Sequence, residues 1–310
     1  MKNKERLLID PVKMPEQDPG TRIHNQKEVP LGFSLDQAKR EAQRCLQCKN
    51  PKCVEDCPVN IDIPRFIGQV AEGDIRGAVR TLKDKNVFPS ICGRVCPQEE
   101  QCQSRCTVGK IRKDIDQSVG IGRLERFVAD WDREHGTENT VRLETKTGKK
   151  AAVIGSGPAG LTVAGDLAKK GHSVTVYEAL HKPGGVLIYG IPEFRLPKAI
   201  VRQEVDNLEK LGVQFRYNAI IGKTFTMQEL RDEYDAVFVG TGAGLPRFLN
   251  VPGQNLLGVY SANEYLTRAN LMRAYDFPNS DTPILRDKRV VIVGGGNVAM
   301  DAARTARRLG

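Results

Sequence analysis

A chain of 310 residues with 40% hydrophobic and 27% charged residues is long enough for two ordinary domains and too apolar for disorder to be its main state. The opening MKNKERLLID lacks the apolar stretch of a signal peptide, and no run of about 18 apolar residues follows, so neither secretion nor membrane spanning is supported and the cytoplasm is the expected location. The net charge of +9 comes from Lys and Arg dispersed among acids, which argues against nucleic acid and suits simple solubility or an acidic electron carrier.

Residues 1–33, with MPEQDPGTR and Pro30, show little periodic apolar pattern and are expected as an extended arm. Ser34-x-x-Gln37 makes a capping box that starts a helix leading into the first cysteines. Ile67, Val70, Ile75, Val79 and Leu82 predict two short helices broken at Gly73-Asp74. A second cysteine-rich loop follows. Leu124, Phe127, Val128 and Trp131, at i, i+3, i+4 and i+7, then form the buried stripe of a helix over 122–134. These segments predict a helical domain over 34–136 and a polar linker over 137–149. From Lys150 the pattern becomes β-branched runs (AAVI, VTVYE, VQFRYN, DAVFVG, RVVIV) alternating with helices, which predicts a parallel α/β sheet of Rossmann-like type. Within it, residues 150–285 read as one nucleotide-binding domain and 286–310 as the start of another, incomplete in this chain because a lone βα unit cannot bury its own faces.

All eight cysteines fall between Cys45 and Cys106. In a reducing compartment such clustering points to metal rather than disulfides. The first group is Cys45-x2-Cys48-x4-Cys53-x3-Cys57-Pro58, the second Cys92-x3-Cys96-Pro97-x4-Cys102-x3-Cys106. The prolines after Cys57 and Cys96 match the ferredoxin pattern in which three close thiolates reach one cluster and the last serves another. Structural zinc is the competing reading. It is opposed by the lack of two clean C-x2-C knuckles and of any histidine between Cys45 and Cys106.

Gly155-x-Gly157-x-x-Gly160 directly follows AAVI and opens a helix. There, glycines let the backbone approach a pyrophosphate while the helix N-terminus offers free N–H groups. Glu178, 18 residues beyond Gly160 at the end of VTVYE, is placed to accept from ribose hydroxyls. A second turn, Gly294-x-Gly296-x-x-Ala299, lies about 140 residues on. Two such turns mark enzymes that pass hydride between nicotinamide and flavin.

Together, CLQCKNPKCVEDCPVNIDIPRFI, ICGRVCPQEEQCQSRC, VIGSGPAGLTVAGDLAKKGHSVTVYE, GGVLIYGIPEFRLPK and VVIVGGGNVAMDAARTARRLG resemble the glutamate synthase small subunit family. PVKMPEQDP and GGVLIYGIPEFRLPK look closest to its electron-bifurcating branch, the large subunit of NADH-dependent reduced ferredoxin:NADP+ oxidoreductase. The resemblance implies a helical N-terminal domain with two [4Fe-4S] clusters, followed by FAD- and NADP-binding folds. FAD would lie on Gly155, Gly157, Gly160 and Glu178, with Gly184, Gly185, Leu187, Gly190, Ile191 and Pro192 along the flavin and Thr241 and Gly242 at a second flavin turn. Arg195 is a candidate for tuning the flavin, with a surface or pyrophosphate role as its rival. NADP(H) would lie on Gly294, Gly296, Asn297 and Ala299. The resemblance further implies that Cys45, Cys48, Cys53 and Cys106 hold one cluster while Cys57, Cys96 and Cys102 share the other with Glu125, leaving Cys92 a spare thiol. An ion pair is the plain alternative for Glu125, which lies between Arg123 and Arg126. A smaller flavin and [2Fe-2S] subunit, ferredoxin and NADPH are the implied partners. The rival functions are a glutamate synthase small subunit and a non-catalytic electron-transfer module.

Overall fold

The computed structural model describes residues 1–136, 143–286 and 289–310, so residues 137–142 of the expected linker lie outside the described residues. Two compact units result: Met1–Gln17 with Pro30–Arg142, and Asp18–Val29 with Leu143–Gly310. The segment expected as one extended arm is thus divided between them. It also holds two single-turn helices, α1 (Asn3–Arg6) and α2 (Pro19–Arg22).

The remaining helices of the first unit are α3 (Leu35–Ala42), α4 (Lys52–Glu55), α5 (Ile63–Glu72), α6 (Ile75–Lys85), α7 (Pro89–Val95), α8 (Thr107–Arg112) and α9 (Ile121–His135). Their ends follow from local chemistry. Ser34 Oγ accepts from the Gln37 N–H at 3.3 Å while Gln37 Oε1 accepts from the Ser34 N–H at 2.9 Å, closing the expected capping box. Gly73 ends α5 at φ 88°, where a side chain would be strained, and Asp74 restarts the chain by accepting from the Gly77 N–H at 2.8 Å. Leu124, Phe127 and Val128 of α9 then bury with Phe66, Ile67, Val70 and Leu82. Each such side chain contributes about 1.5–3 kcal/mol by leaving water.

Inside this core sits a pair that no sequence motif announces. Arg44 is fully buried and its Nη1 lies 2.6 Å from Glu41 Oε1. The remaining guanidinium donors reach the carbonyls of Ile9 (3.2 Å), Gln117 (2.5 Å) and Ser118 (3.0 Å). Glu41 in turn accepts from the N–H groups of Val12 and Gly120, both at 2.8 Å. One ion pair therefore ties the N-terminal segment, α3 and the approach to α9. Removing one partner strands the other charge in the core, so Arg44→Met should destabilise the unit by about 3–5 kcal/mol. Replacing both, as Glu41→Leu with Arg44→Met, should cost less than the single change; chemical unfolding of the purified protein checks the order.

In the second unit, β1 (Lys150–Ile154), β2 (Ser173–Tyr177), β3 (Gln214–Arg216) and β4 (Ala236–Val239) form a parallel sheet in the order β3-β2-β1-β4. Central β1 is registered by Ala152 opposite Thr175 on β2 and opposite Val237 on β4. The connecting helices are α10 (Pro158–Lys169), α11 (Val186–Tyr189), α12 (Lys198–Lys210), α13 (Met227–Glu233), α14 (Ala262–Asn270) and α15 (Asn297–Leu309). Residues 143–149, expected as linker, instead lie along the end of α10, with the Glu144 N–H on the Lys169 carbonyl at 2.8 Å and the Thr147 N–H on the Gly171 carbonyl at 3.0 Å.

The run RVVIV does not form the expected strand. Residues 289–293 carry no ladder, and Val290, Val291 and Val293 are exposed. A strand exists only through its partners, and the described residues offer this segment none. Among the described residues, no helix is long and apolar enough to cross a membrane.

Candidate functional site

The cysteines of the first unit separate into two neighbourhoods. Cys45 feels Cys48 and Cys106, and Cys53 feels Cys45, Cys48 and Cys106. Those four line one cavity with Pro51, Ile63 and Ile67 on its walls. The second neighbourhood joins Cys57, Cys92, Cys96 and Cys102 around Glu125. The chain crosses between sets: Cys57, from the first cysteine run, lies with the second set, and Cys106, from the second run, lies with the first.

Electrostatics shows what these sets need. Burial, then mutual repulsion, pushes Cys53 and Cys102 up to about 12, while Cys96 rises to about 11 through burial and the neighbouring Glu125. Burial pushes Cys45 to about 11 against a backbone hydrogen bond that lowers it, and drives Cys92 higher still. Thiolates crowded in low dielectric are stable only beside a strongly positive group, which an iron-sulfur cluster supplies. Among the described residues no three His, Cys, Asp or Glu side chains converge on a point where one metal ion could sit. The four thiols of the first set line a cavity, an arrangement that suits a multi-iron cluster.

Glu125 is the unusual member. Helix α9, opened by Ile121, carries it into the core one turn in, where it is 6% exposed and Oε1 accepts from Asn86 Nδ2 at 2.7 Å. Among the described residues neither flanking arginine pairs with it: Arg126 instead reaches Asp130 at 3.3 Å and the Pro30 carbonyl at 2.9 Å. Asn86 also accepts from Cys92 Sγ at 3.6 Å and from the Phe88 N–H at 2.9 Å, so one amide contacts both residues that could complete the second set. Nothing in the sequence marks Asn86, which precedes the second cysteine loop without a motif. Burial raises Glu125 to about 8 against that hydrogen bond. An acid raised on folding stabilises the protein below its ordinary value and loses that contribution as pH rises through the folded one. Iron-free protein should therefore lose stability between about pH 5 and 8, at a rate of about 1.4 kcal/mol for each pH step of one across that window. Thermal unfolding across that range should show the decline, and Glu125→Gln should flatten it.

In the second unit the glycine turn is built by close backbone approach. A Cβ on Gly160 would strike the Gly155 carbonyl, and Gly155 holds φ 95° against Gly240 and Thr241, which brings the second expected turn to the first. Gly242 continues it at φ 68°, exposed. Gly185, at φ 52°, lies against Gly157: a Cβ there would come within 2.8 Å of the Gly157 Cα. Above Gly157 itself nothing lies within 4 Å of an added Cβ. That open cradle at the N-terminus of α10, between Gly155, Gly157 and Gly185, fits a dinucleotide pyrophosphate. Leu187 and Ile188 of α11 are buried, as is Pro192, while Gly190 and Ile191 are half-buried.

Ser156, silent in sequence because it fills a variable position of the motif, is the hub of this turn. Its N–H donates to Glu178 Oε2 at 2.9 Å and its hydroxyl donates to the same oxygen, while the Gly184 N–H reaches Ser156 Oγ at 3.0 Å. Glu178 therefore has both carboxylate oxygens on groups of the turn and of the segment after β2. Buried, it also accepts from the Leu180 N–H at 2.8 Å through Oε1. Arg195 Nη1 pairs with Asp301 Oδ2 at 2.5 Å. A second missed residue, Lys198, sits behind α11 with Nζ on the carbonyls of Leu187 and Leu196, both 3.0 Å, and of Ile191. Burial lowers it to about 8, opposed by Glu193 and Asp301. The second glycine turn caps α15: Gly294 holds φ 123°, Gly296 is the N-cap before Asn297, and Ala299 is buried.

The geometry defines a chain with a cysteine-rich iron-sulfur unit ahead of a dinucleotide unit. Residues 22–137 match the family model described as dihydropyrimidine dehydrogenase domain II, 4Fe-4S cluster, and residues 149–310 match that described as pyridine nucleotide-disulphide oxidoreductase. The chain belongs to the pyridine nucleotide-disulphide oxidoreductase family. It is 39% identical over 287 residues to the NAD-dependent dihydropyrimidine dehydrogenase subunit PreT of Escherichia coli O157:H7, covering 91% of this chain and 65% of that one. It is 37% identical over 302 residues to the glutamate synthase [NADPH] small chain of Halomonas elongata, covering 97% and 62%. Against the glutamate synthase [NADPH] small chain of Escherichia coli K12 it is 37% identical over 286 residues, covering 91% and 60%. The chain thus spans less than two thirds of each of these relatives.

The two glycines at the cradle make a matched test. Gly157→Leu should leave stability within about 0.5 kcal/mol, as a substitution into open space does, yet abolish copurifying flavin. Gly160→Ala should destabilise the fold itself, because its Cβ meets backbone; absorbance of bound flavin and thermal unfolding separate the two.

Proposed function

We propose that this chain carries electrons between NADPH, an FAD on the first glycine turn and two [4Fe-4S] clusters, towards ferredoxin. The observation that carries the reading is the division of eight cysteines and Glu125 into two sets within one unit, in a chain that also holds an open dinucleotide cradle. When bound, flavin supplies exchange of electrons singly and in pairs, which suits a junction between a hydride donor and one-electron clusters.

The chain's own residues then have definite tasks. Cys45, Cys48, Cys53 and Cys106 would hold one cluster; Cys57, Cys96 and Cys102 would hold the other with Glu125, whose Oε2 is left for iron once Asn86 holds Oε1. Gly155, Gly157 and Gly160 would admit the pyrophosphate, with Glu178 shaping the turn through Ser156. Gly184 to Pro192 would lie along the flavin, kept in place by Lys198, and Thr241 and Gly242 would meet it from the other side. Gly294, Gly296, Asn297 and Ala299 would receive NADPH. We further infer a cytoplasmic, electron-bifurcating ferredoxin:NADP+ oxidoreductase, in which one electron passes to the clusters and the other to a smaller flavin and [2Fe-2S] subunit. The similarity to glutamate synthase small chains supports a second reading, delivery of NADPH electrons to an amidotransferase subunit.

Anaerobically purified protein should contain about eight irons per chain and absorb broadly near 400 nm through thiolate-to-iron charge transfer; stoichiometric zinc would sink the reading. Cys92→Ser should retain both clusters, whereas Glu125→Ala should lose or shift one by iron count and low-temperature EPR. Loss with Cys92→Ser and silence with Glu125→Ala would return the ligand to Cys92. Anaerobic NADPH should bleach the flavin, and a non-catalytic module would show no bleaching. The protein that copurifies decides between the first two readings: a small flavin and [2Fe-2S] subunit, or a large glutaminase-bearing chain.

A further inference from the structure

Helix α15 begins on the second glycine turn, and its side chains reach the GIPEFRLPK segment of the same unit. Asp301, one turn in, is 5% exposed at its side chain and places Oδ2 2.5 Å from Arg195 Nη1. Arg308 lies two turns further along the same face, since residues seven apart align on a helix. Its guanidinium covers the Phe194 ring at 3.7 Å and its Nε donates to the Asn25 carbonyl at 3.0 Å. Phe194 is itself 1% exposed. Adjacent residues of the GIPEFRLPK segment are therefore gripped by one face of α15.

A second route reaches the same segment. Asn270, at the end of α14 and buried, donates Nδ2 to the carbonyls of Tyr189 (3.2 Å) and Gly190 (3.3 Å). Behind these carbonyls Lys198 draws in those of Leu187, Ile191 and Leu196. The segment from Gly184 to Leu196 is thus fixed at one end to the first glycine turn, through Gly184 on Ser156 and Gly185 over Gly157, and at the other end to α15. No side chain of α15 has to touch a flavin for a displacement of that helix to move the segment expected along it.

We propose that Asp301 is a positioning residue that couples the two nucleotide sites: through Arg195 it ties the helix opened by the second glycine turn to the flavin-side segment, so that a nucleotide at Gly294–Gly296 changes how tightly FAD is held. The inference rests on the proposed FAD and NADP sites. Coupling between sites is a free energy shared by both ligands, and each changes the affinity of the other by the same factor. A purely structural ion pair predicts instead that its loss weakens FAD equally with and without the second nucleotide.

The dissociation constant of FAD is measured with and without saturating NADP+, on wild type, Asp301→Asn and Arg195→Met, with NADP+ binding followed separately by calorimetry. Wild type should show at least about a 5-fold change in FAD affinity on adding NADP+, the lower end of ordinary coupling. Asp301→Asn should bind both molecules with the ratio falling towards one, and Arg195→Met should do the same from the other side of the pair. If Asp301→Asn does not fold, Arg195→Met alone decides. A wild-type ratio of one with both molecules bound overturns the coupling and leaves the sites standing; a variant ratio as large as wild type also overturns it. Wild type that binds FAD but no NADP+ removes the second site and the coupling with it.

Discussion

Charge crowding in low dielectric is the constraint on which the first unit depends. Nine anionic or potentially anionic groups, eight thiols and Glu125, lie in a helical core whose other walls are Ile, Pro, Val and Leu. Burial pushes the five most perturbed thiols upward, and their neighbours of like sign push further. Such a core has two stable forms, fully protonated or neutralised by a bound cationic group, and only the second explains why thiols from two distant loops are gathered into two sets. The fold can hold them apart from one another because it is braced elsewhere. Arg44 and Glu41, charges of opposite sign, satisfy each other and the carbonyl and amide groups of the N-terminal segment and the approach to α9.

The second unit obeys a different constraint, close backbone approach. Gly155, Gly160 and Gly185 are fixed by the atoms that a Cβ would strike, whereas Gly157 is fixed by nothing among the described residues. The space above Gly157 lies at the N-terminus of α10, where a bound pyrophosphate would be received by free N–H groups. The hydrogen bonds of Ser156 and Glu178 join the turn after β1 to the end of β2 and to Gly184.

Much of this was legible in the sequence because it depends on short-range chemistry. The capping box at Ser34, the break at Gly73-Asp74, the α9 stripe and the strand, glycine and helix order at 150–169 all arise from residues within a few positions of one another. Residues that act across the fold were illegible. Arg44 bonds to a carbonyl 74 positions away, Arg195 to a carboxylate 106 away, and Lys198 to carbonyls that have no side-chain signature at all. RVVIV failed for the complementary reason: β-branched composition describes a segment suited to a sheet, while the sheet itself is a property of neighbours that the described residues do not contain.

Glu125 and Arg195 show why charge alone misleads in such a reading. Each is an ionisable side chain next to a motif, and sequence offers an ion pair or surface role as the plain account of either. Arg195 does find its ion pair, with Asp301. Glu125 finds none among the described residues. Its hydrogen-bond donor is the neutral amide of Asn86, and its carboxylate in turn pushes the thiols of Cys92, Cys96 and Cys102 upward. A carboxylate buried beside anions, with a neutral partner on one oxygen, is tolerable in two circumstances: it carries a proton, or a cation shares the other oxygen. Because the surrounding thiols face the same choice, the proton and the cation are alternatives for the whole set, and Glu125 belongs chemically with the cysteines rather than with the arginines that flank it in the chain.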